Sequence, residues 1–193
     1  MSEVEGEVRS EQLDAEREAR RRAALAQVRQ YPDPVLRMKA REVEAFDESV
    51  SALVERMTRL MEEARGVGLA ATQLGIVRRV LVYQPTEEDP VSALVNPHLV
   101  SATDEREVAE EGCLSLGAAG VVVEVERPVG VTVEAQTPTG EPVRIEAEGL
   151  EARVLQHELD HLDGILTIDR TTPEHRRAAL AKLRPQPVLG PVA

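Results

Sequence analysis

The run Gln156-His157-Glu158-Leu159-Asp160-His161 constrains this chain more than any other segment, because its H-E-x-x-H pattern works only on a helix. With about 3.6 residues per turn, positions 157 and 161 lie one turn apart and differ by about 40° around the axis, so both imidazoles can face one metal ion. Glu158 lies about 100° round from His157. It can therefore reach a water beside that ion without being a ligand, the general-base arrangement of metal hydrolases. Leu150, Val154, Leu155, His157, His161 and Leu162 form one face of a helix that starts at Gly149 and ends near Gly164. The competing interpretation is an exposed polar face on an ordinary helix.

A catalytic site of this kind needs a third protein ligand and an open position. Glu110-Glu111-Gly112-Cys113-Leu114-Ser115 contains the only cysteine of the chain, which excludes an intramolecular disulfide. A lone cysteine is ordinarily a small buried hydrophobe, but Cys113 sits beside a glycine and outside any periodic apolar run. One thiolate and two neutral imidazoles would leave a divalent ion with a net positive charge and one vacant tetrahedral position, where bound water loses a proton near neutral pH. Spacing alone suggests zinc.

The rest of the sequence supplies a scaffold. Of 193 residues, 42% are apolar and only Tyr31, Phe46 and Tyr83 are aromatic, which fits one aliphatic core of ordinary domain size. A net charge of −12 argues against broad binding to nucleic acid or anionic lipid. No apolar run approaches the ~20 residues of a membrane span, and the start is too acidic for a leader; the expected location is the cytoplasm. Residues 1–29 read as a charged extension, compatible with a weakly packed helix, and Tyr31-Pro32-Asp33-Pro34 marks a boundary near residue 30.

Val50, Leu53, Val54, Met57, Leu60, Met61 and Ala64 predict a helix stopped by Gly66. Gly66–Gln73 reads as a loop with extended backbone, and residues 80–83 and 93–96 as short strands. Period-two valines over 121–125, 129–135 and 143–147 suggest antiparallel hairpins, with Thr137-Pro138-Thr139-Gly140 as a turn. A last helix begins at Thr172-Pro173 and ends before Pro185-Gln186-Pro187, followed by the loose tail PVLGPVA. The order predicts an α+β domain of short antiparallel strands and hairpins around a central metal-binding helix, with the catalytic part at 30–170 and a short helix and tail at 171–193.

Three segments together, Gly66-Val67-Gly68-Leu69-Ala70-Ala71-Thr72-Gln73, Glu111-Gly112-Cys113-Leu114-Ser115 and Gln156–His161, resemble the signature motifs of the peptide deformylases, in the same order and at similar separations. The resemblance covers about residues 30–170. It implies that Cys113, His157 and His161 bind a catalytic metal, ferrous iron in native family members, with zinc, nickel or cobalt able to occupy the site. It implies that Glu158 moves a proton from the attacking water to the leaving amine as the formyl group of an N-formylmethionyl peptide or nascent chain is released as formate. The amide of Gln73 and the backbone N–H of Leu114 would stabilise charge on the formyl oxygen.

Gly66 and Gly68 leave room for a peptide pairing edge-on with their segment. By correspondence Val67, Ala109, Leu150 and Val154 would line the methionine pocket, with plain core packing as the alternative for each. The family precedent is mostly monomeric, and in some relatives the C-terminal helix docks on the ribosome. Here Arg176, Arg177, Lys182 and Arg184 stand against Glu174, a pattern that more often marks an ordinary solvated helix face. The chain departs from the family at Ser115-Leu116-Gly117-Ala118-Ala119-Gly120. Active members usually carry a proline there, and often a basic residue that steadies the peptide. Gly117 in place of proline loosens the backbone beside a ligand.

Overall fold

The computed structural model describes residues 2–183, with residues 2–13 and 118–119 described by their backbone alone. The stop at Pro185–Pro187, the PVLGPVA tail and Arg184 lie outside the described residues.

Val80-Leu81-Val82-Tyr83 shows how the chain organises its core. It forms strand β2 (Val80–Tyr83), buried at every position, because the sheet around it is covered on both faces. Val80 and Val82 belong to a core shared with helix α2 (Glu48–Ala64). Leu81 and Tyr83 belong to another, shared with helix α3 (Gly149–Leu162). Alternate residues of a strand face opposite ways, so one continuous apolar run serves both layers.

Around β2 the strands β1 (Gly68–Ala70), β3 (Ser92–Ala102), β6 (Gly130–Gln136) and β7 (Pro142–Glu148) form an antiparallel sheet of order β1-β2-β3-β6-β7. A two-stranded antiparallel ribbon, β4 (Arg106–Gly112) and β5 (Val122–Pro128), stands apart from it. A third apolar cluster, with Leu36, Leu116, Val123, Val125, Leu166 and Ile168 at its centre, joins this ribbon to helices α4 (Thr167–Arg170) and α5 (Pro173–Leu183). The architecture is α+β, with α3 lying between the sheet and the ribbon.

Several local expectations are corrected. The valines of 121–125 do not make a hairpin with those of 129–135; β5 pairs with β4 instead. Only Val129 separates β5 from β6, one residue short of the tightest hairpin loop, so the chain passes from the ribbon into the large sheet. The strand expected at 93–96 runs on to Ala102. Asn96, at φ 53°, and Pro97 are absorbed where the β3–β6 register shifts between Val95 and His98. The Asn96 side chain bonds to both backbone groups of Val43.

Helix α2 ends on Arg65 in the left-handed conformation, φ 58°, and not on Gly66. Residues 71–74, expected as extended, form a 3-10 turn after β1. The packed core also begins before residue 30. Ser2–Leu25 is one helix, α1, and its C-terminal turn places Ala24, together with Val28 just beyond it, fully inside the α2 core. The four-residue spacing of Ala24 and Val28 is masked in the sequence by the surrounding charge.

Beyond α3, Asp169 fastens the C-terminal elements. It accepts from Arg37 and from the Leu166 N–H at 2.9 Å, and it pairs with Arg176 at 3.3 Å. Burial opposes ionisation, but the Arg37 and Leu166 bonds outweigh it and hold the carboxyl below its ordinary 3.8. Its stabilisation is therefore complete above about pH 3.8 and is lost as pH falls through the lower folded value. Asp169→Ala is expected to cost about 1–3 kcal/mol at pH 7. Urea unfolding of the variant and parent should show that gap narrowing below pH 3.8.

Candidate metal centre

Three elements converge on one point. Helix α3 brings His157 and His161, the ribbon brings Cys113 just after β4, and the turn after β1 brings Gln73. The Cys113 sulfur lies 3.2 Å from His161 Nε2, which is 3.1 Å from His157 Nε2. One ligand atom from each of these three residues falls within 4.8 Å of the others. Burial pulls the His157 pKa down, yet hydrogen bonds to Cys113 and Glu111 hold it well above the usual 6.5. Burial and the neighbouring His157 charge hold His161 well below it. The cluster thus gathers one sulfur and two nitrogens at one point. That donor set fits a tetrahedral divalent transition-metal ion with one position left open.

Glu111 aims His157. Its Oε2 is 3.0 Å from His157 Nδ1, which turns Nε2 toward the other ligands in the manner of carboxylate–histidine–metal triads. The same carboxylate takes two bonds from Arg127, at 2.6 and 2.9 Å, and one from Arg153 at 2.9 Å. Burial alone would raise its pKa, but the His157 and Arg127 bonds overcome this and take it to about 2. Arg127 also donates to Asp160 at 2.9 Å, and Asp160 accepts from Arg170.

Arg127, Arg153 and Arg170 were not singled out from the sequence, and Glu111 and Asp160 only as motif letters. A signal for Arg127 was present. Val121, Val123 and Val125 point inward at period two, so the next inward position is 127; a buried arginine there requires acidic partners.

Glu158 is buried beside the cluster, and its Oε2 has no hydrogen-bond partner among the described residues. Burial pushes its pKa up to about 7. A Cβ on Gly68 would come within 2.4 Å of Glu158 Oε1. Gly68 therefore makes room for this carboxylate, a tighter requirement than the space for a peptide expected from sequence. A Cβ on Gly66 would meet the Leu114 side chain at 2.9 Å.

Gln73 is buried rather than a surface amide. It accepts from the Ala70 N–H at 2.8 Å and donates to Ser115 Oγ at 3.2 Å, with Cys113 Sγ 3.9 Å away. Leu114 opens the 3-10 turn Leu114–Ala119, so its N–H has no carbonyl within that turn. Thr72 Oγ1 holds the His161 carbonyl at 3.1 Å.

The cluster opens into a cleft of about 460 Å³ whose wall includes Gly66, Val67, Gly68, Leu150 and Val154. Val67 and Leu150 are each about half exposed, which plain core packing would not leave. Ala109 is not part of the wall. It pairs with Val125 on β4, two residues from Glu111, and on that strand the wall begins at Glu110.

If Glu111 and Arg127 fix the orientation of His157, then Glu111→Gln and Arg127→Met should each weaken metal binding about 10- to 100-fold. Competition with a chromophoric chelator measures this; unchanged affinity would remove the pair from that role.

The family model for polypeptide deformylase matches residues 25–177. A peptide deformylase from Desulforudis audaxviator is 44% identical over 154 residues, covering 80% of this chain and 98% of that protein. One from Natranaerobius thermophilus is 50% identical over 147 residues, 76% and 92% of the two chains. Among solved structures, the Legionella pneumophila peptide deformylase superimposes with a TM-score of 0.76 at 41% identity, covering 81% of this chain and 91% of that one. The Thermotoga maritima enzyme gives 0.72 at 45%, covering 76% and 97%. On this similarity and the fold described above, the chain belongs to the polypeptide deformylase family, metal-dependent hydrolases that remove the formyl group from the N-terminal methionine of newly synthesised proteins.

Proposed function

We propose that Cys113, His157 and His161 hold one divalent ion, ferrous iron in the cell with zinc, nickel or cobalt as possible substitutes. Glu158 is the general base, and Gln73 with the Leu114 N–H receives the formyl oxygen. The observation that carries this assignment is the buried Glu158 carboxylate, with one oxygen unpartnered, seated against Gly68 beside three metal-type donors. An ion in that donor set would supply Lewis acidity and a lower pKa for water.

The chain's own residues do the rest. β1 is an edge strand, and the edge at its start, from Gly68 back through Val67 and Gly66, can pair with an extended formylmethionyl peptide. The methionine side chain enters the cleft between Val67, Leu150 and Val154. The Gln73 amide is preset by the Ala70 N–H, so its NH₂ group points into the site. A donor fixed before reaction stabilises developing negative charge without reorganising. Burial makes Glu158 a stronger base than an exposed glutamate, able to take a proton from the attacking water and return it to the leaving amine. Formate and a free methionine amine are the products.

The same reading makes it a cytoplasmic enzyme acting as a monomer on nascent chains, as is usual in the family; no helix among the described residues is long and apolar enough to cross a membrane. Of the basic side chains of α5 that could dock on the ribosome, Arg176 is already paired with Asp169.

Formate release from formyl-Met-Ala-Ser, with protein purified anaerobically and loaded in turn with ferrous iron, nickel or zinc, tests the assignment. Glu158→Gln should lower kcat by about 10²- to 10⁴-fold while metal content is retained, and an unchanged rate would remove Glu158 from the mechanism. Gly68→Ala must displace the Glu158 carboxylate, and a loss of about 10²-fold in kcat is expected. A chelator should abolish turnover and added metal restore it. Ferrous protein should lose activity in air faster than the nickel form.

A further inference from the structure

One wall of the cleft is built partly from a residue that precedes the family match. Arg21 and Leu25 of α1 line it together with Arg65, which ends α2; the match begins at residue 25, so Arg21 belongs to this chain's own extension. The Arg21 Nε is buried and has no hydrogen-bond partner among the described residues. The only ion pair of Arg21 among them is a long one, 3.6 Å to Glu18 on its own helix, with both side chains substantially exposed. The opposite wall at Gly117 and Gly120 presents no side chain, and a Cβ at either position would meet nothing within 4 Å.

The direction of a bound peptide follows from β1. The reacting end is fixed at Gly68, against Glu158. Beyond Gly68 the segment is closed, since Leu69, Ala70 and Ala71 are fully buried. A peptide on this edge must therefore run the other way, past Val67 and Gly66 toward Arg65, antiparallel to β1. Three residues of extended chain span about 10 Å, which brings the second and third residues after the methionine to the part of the cleft bounded by Arg65, Leu25 and Arg21. Leu25 and Leu114 pack into the same cluster, which ties that end of α1 to the cleft.

We propose that Arg21, delivered by the N-terminal helix and assisted by Arg65, is a specificity-determining residue that pairs with a carboxylate on the peptide downstream of the formylated methionine. It supplies from α1 the positive charge that the 116–120 segment lacks. The protein as a whole is strongly acidic, with a net charge of −12, and of the three arginines lining the cleft Arg153 is held by Glu111, so Arg21 and Arg65 are left to select acidic peptides that the rest of the surface would repel. This proposal rests on the deformylase assignment of the site.

The test compares formyl-Met-Ala-Glu, formyl-Met-Ala-Ser and formyl-Met-Ala-Lys, each amidated at the C-terminus, on full-length metal-loaded protein. The parent should favour the Glu peptide through KM. Arg21→Ala should raise KM for that peptide about 3- to 10-fold, with kcat unchanged and the Ser peptide affected less than about twofold. Arg21→Lys should keep the preference and Arg21→Glu should transfer it to the Lys peptide. The discrimination should shrink between low and 0.5 M salt, in which charges about 4 Å apart or more are screened. A helix that only braces the cleft would change all three peptides alike, and that result overturns the proposal while leaving the deformylase assignment intact. No turnover of any peptide by the parent overturns both.

Discussion

The buried carboxylate of Glu111 is the point on which the structure depends. It comes from β4, and its three partners come from elsewhere: Arg127 from the partner strand, Arg153 and His157 from α3. Removing a carboxylate and a guanidinium from water costs several kcal/mol for each ion, and Coulomb attraction offsets that only when the remaining hydrogen-bonding groups are also satisfied. Here they are. Arg127 makes a two-pronged contact with Glu111 and gives its remaining nitrogen to Asp160. The consequence is geometric: ribbon and helix are fixed relative to one another at the place where Cys113 and the two histidines must meet.

The apolar layers explain why the helix lies there at all. α3 is apolar along one side against the sheet, through Val154, Leu155, Leu159 and Leu162. Asp160 and His161 turn toward the ribbon, where they meet Arg127 and Cys113, and Glu158 turns toward Gly68 of β1, so all three are buried although the helix is amphipathic. A polar face that would ordinarily meet water is covered by a second sheet and is made tolerable by ion pairs and by the three-donor cluster. Glu158 Oε2 and His161 Nδ1 are left without hydrogen-bond partners among the described residues. An unsatisfied buried acceptor such as this Glu158 oxygen is costly, and it lies beside the three-donor cluster.

Much of this was legible in sequence because it depends on local periodicity. Both long helices of the core, α2 and α3, follow from three- and four-residue spacing, and the β6–β7 hairpin from its alternation and the Thr-Pro-Thr-Gly turn. β4 was not legible. Its residues are mostly exposed, so Arg-Glu-Val-Ala-Glu-Glu-Gly carries no hydrophobic alternation, and without β4 the partner of β5 could not be named. The assignment of Ala109 to the cleft failed for a related reason: correspondence along a motif does not tell where a strand leaves the wall. The N-terminal extension was misjudged because Ala24 and Val28 sit among arginines and alanines, and only α2, distant in sequence, buries them.

The glycines near the cleft serve opposite ends, which settles what the unusual 116–120 segment can affect. Gly68 is dictated by space, since any side chain there collides with Glu158. Gly117 is not, since nothing lies near it. Cys113 is held without it: Gly112 is paired with Val122 across the ribbon, the Leu116 N–H bonds back to the Cys113 carbonyl, Tyr31 N–H bonds to the Ser115 carbonyl, and Gln73 bonds to the Ser115 hydroxyl. These contacts fix residues 112–116 from four directions before the chain reaches Gly117. Backbone freedom gained at 117 is therefore confined to the outer part of the turn, between Leu116 and the start of β5. On the proposed assignment, the missing proline would act on the cleft wall and leave Cys113 in place, which directs its effect to substrate choice rather than to the chemistry.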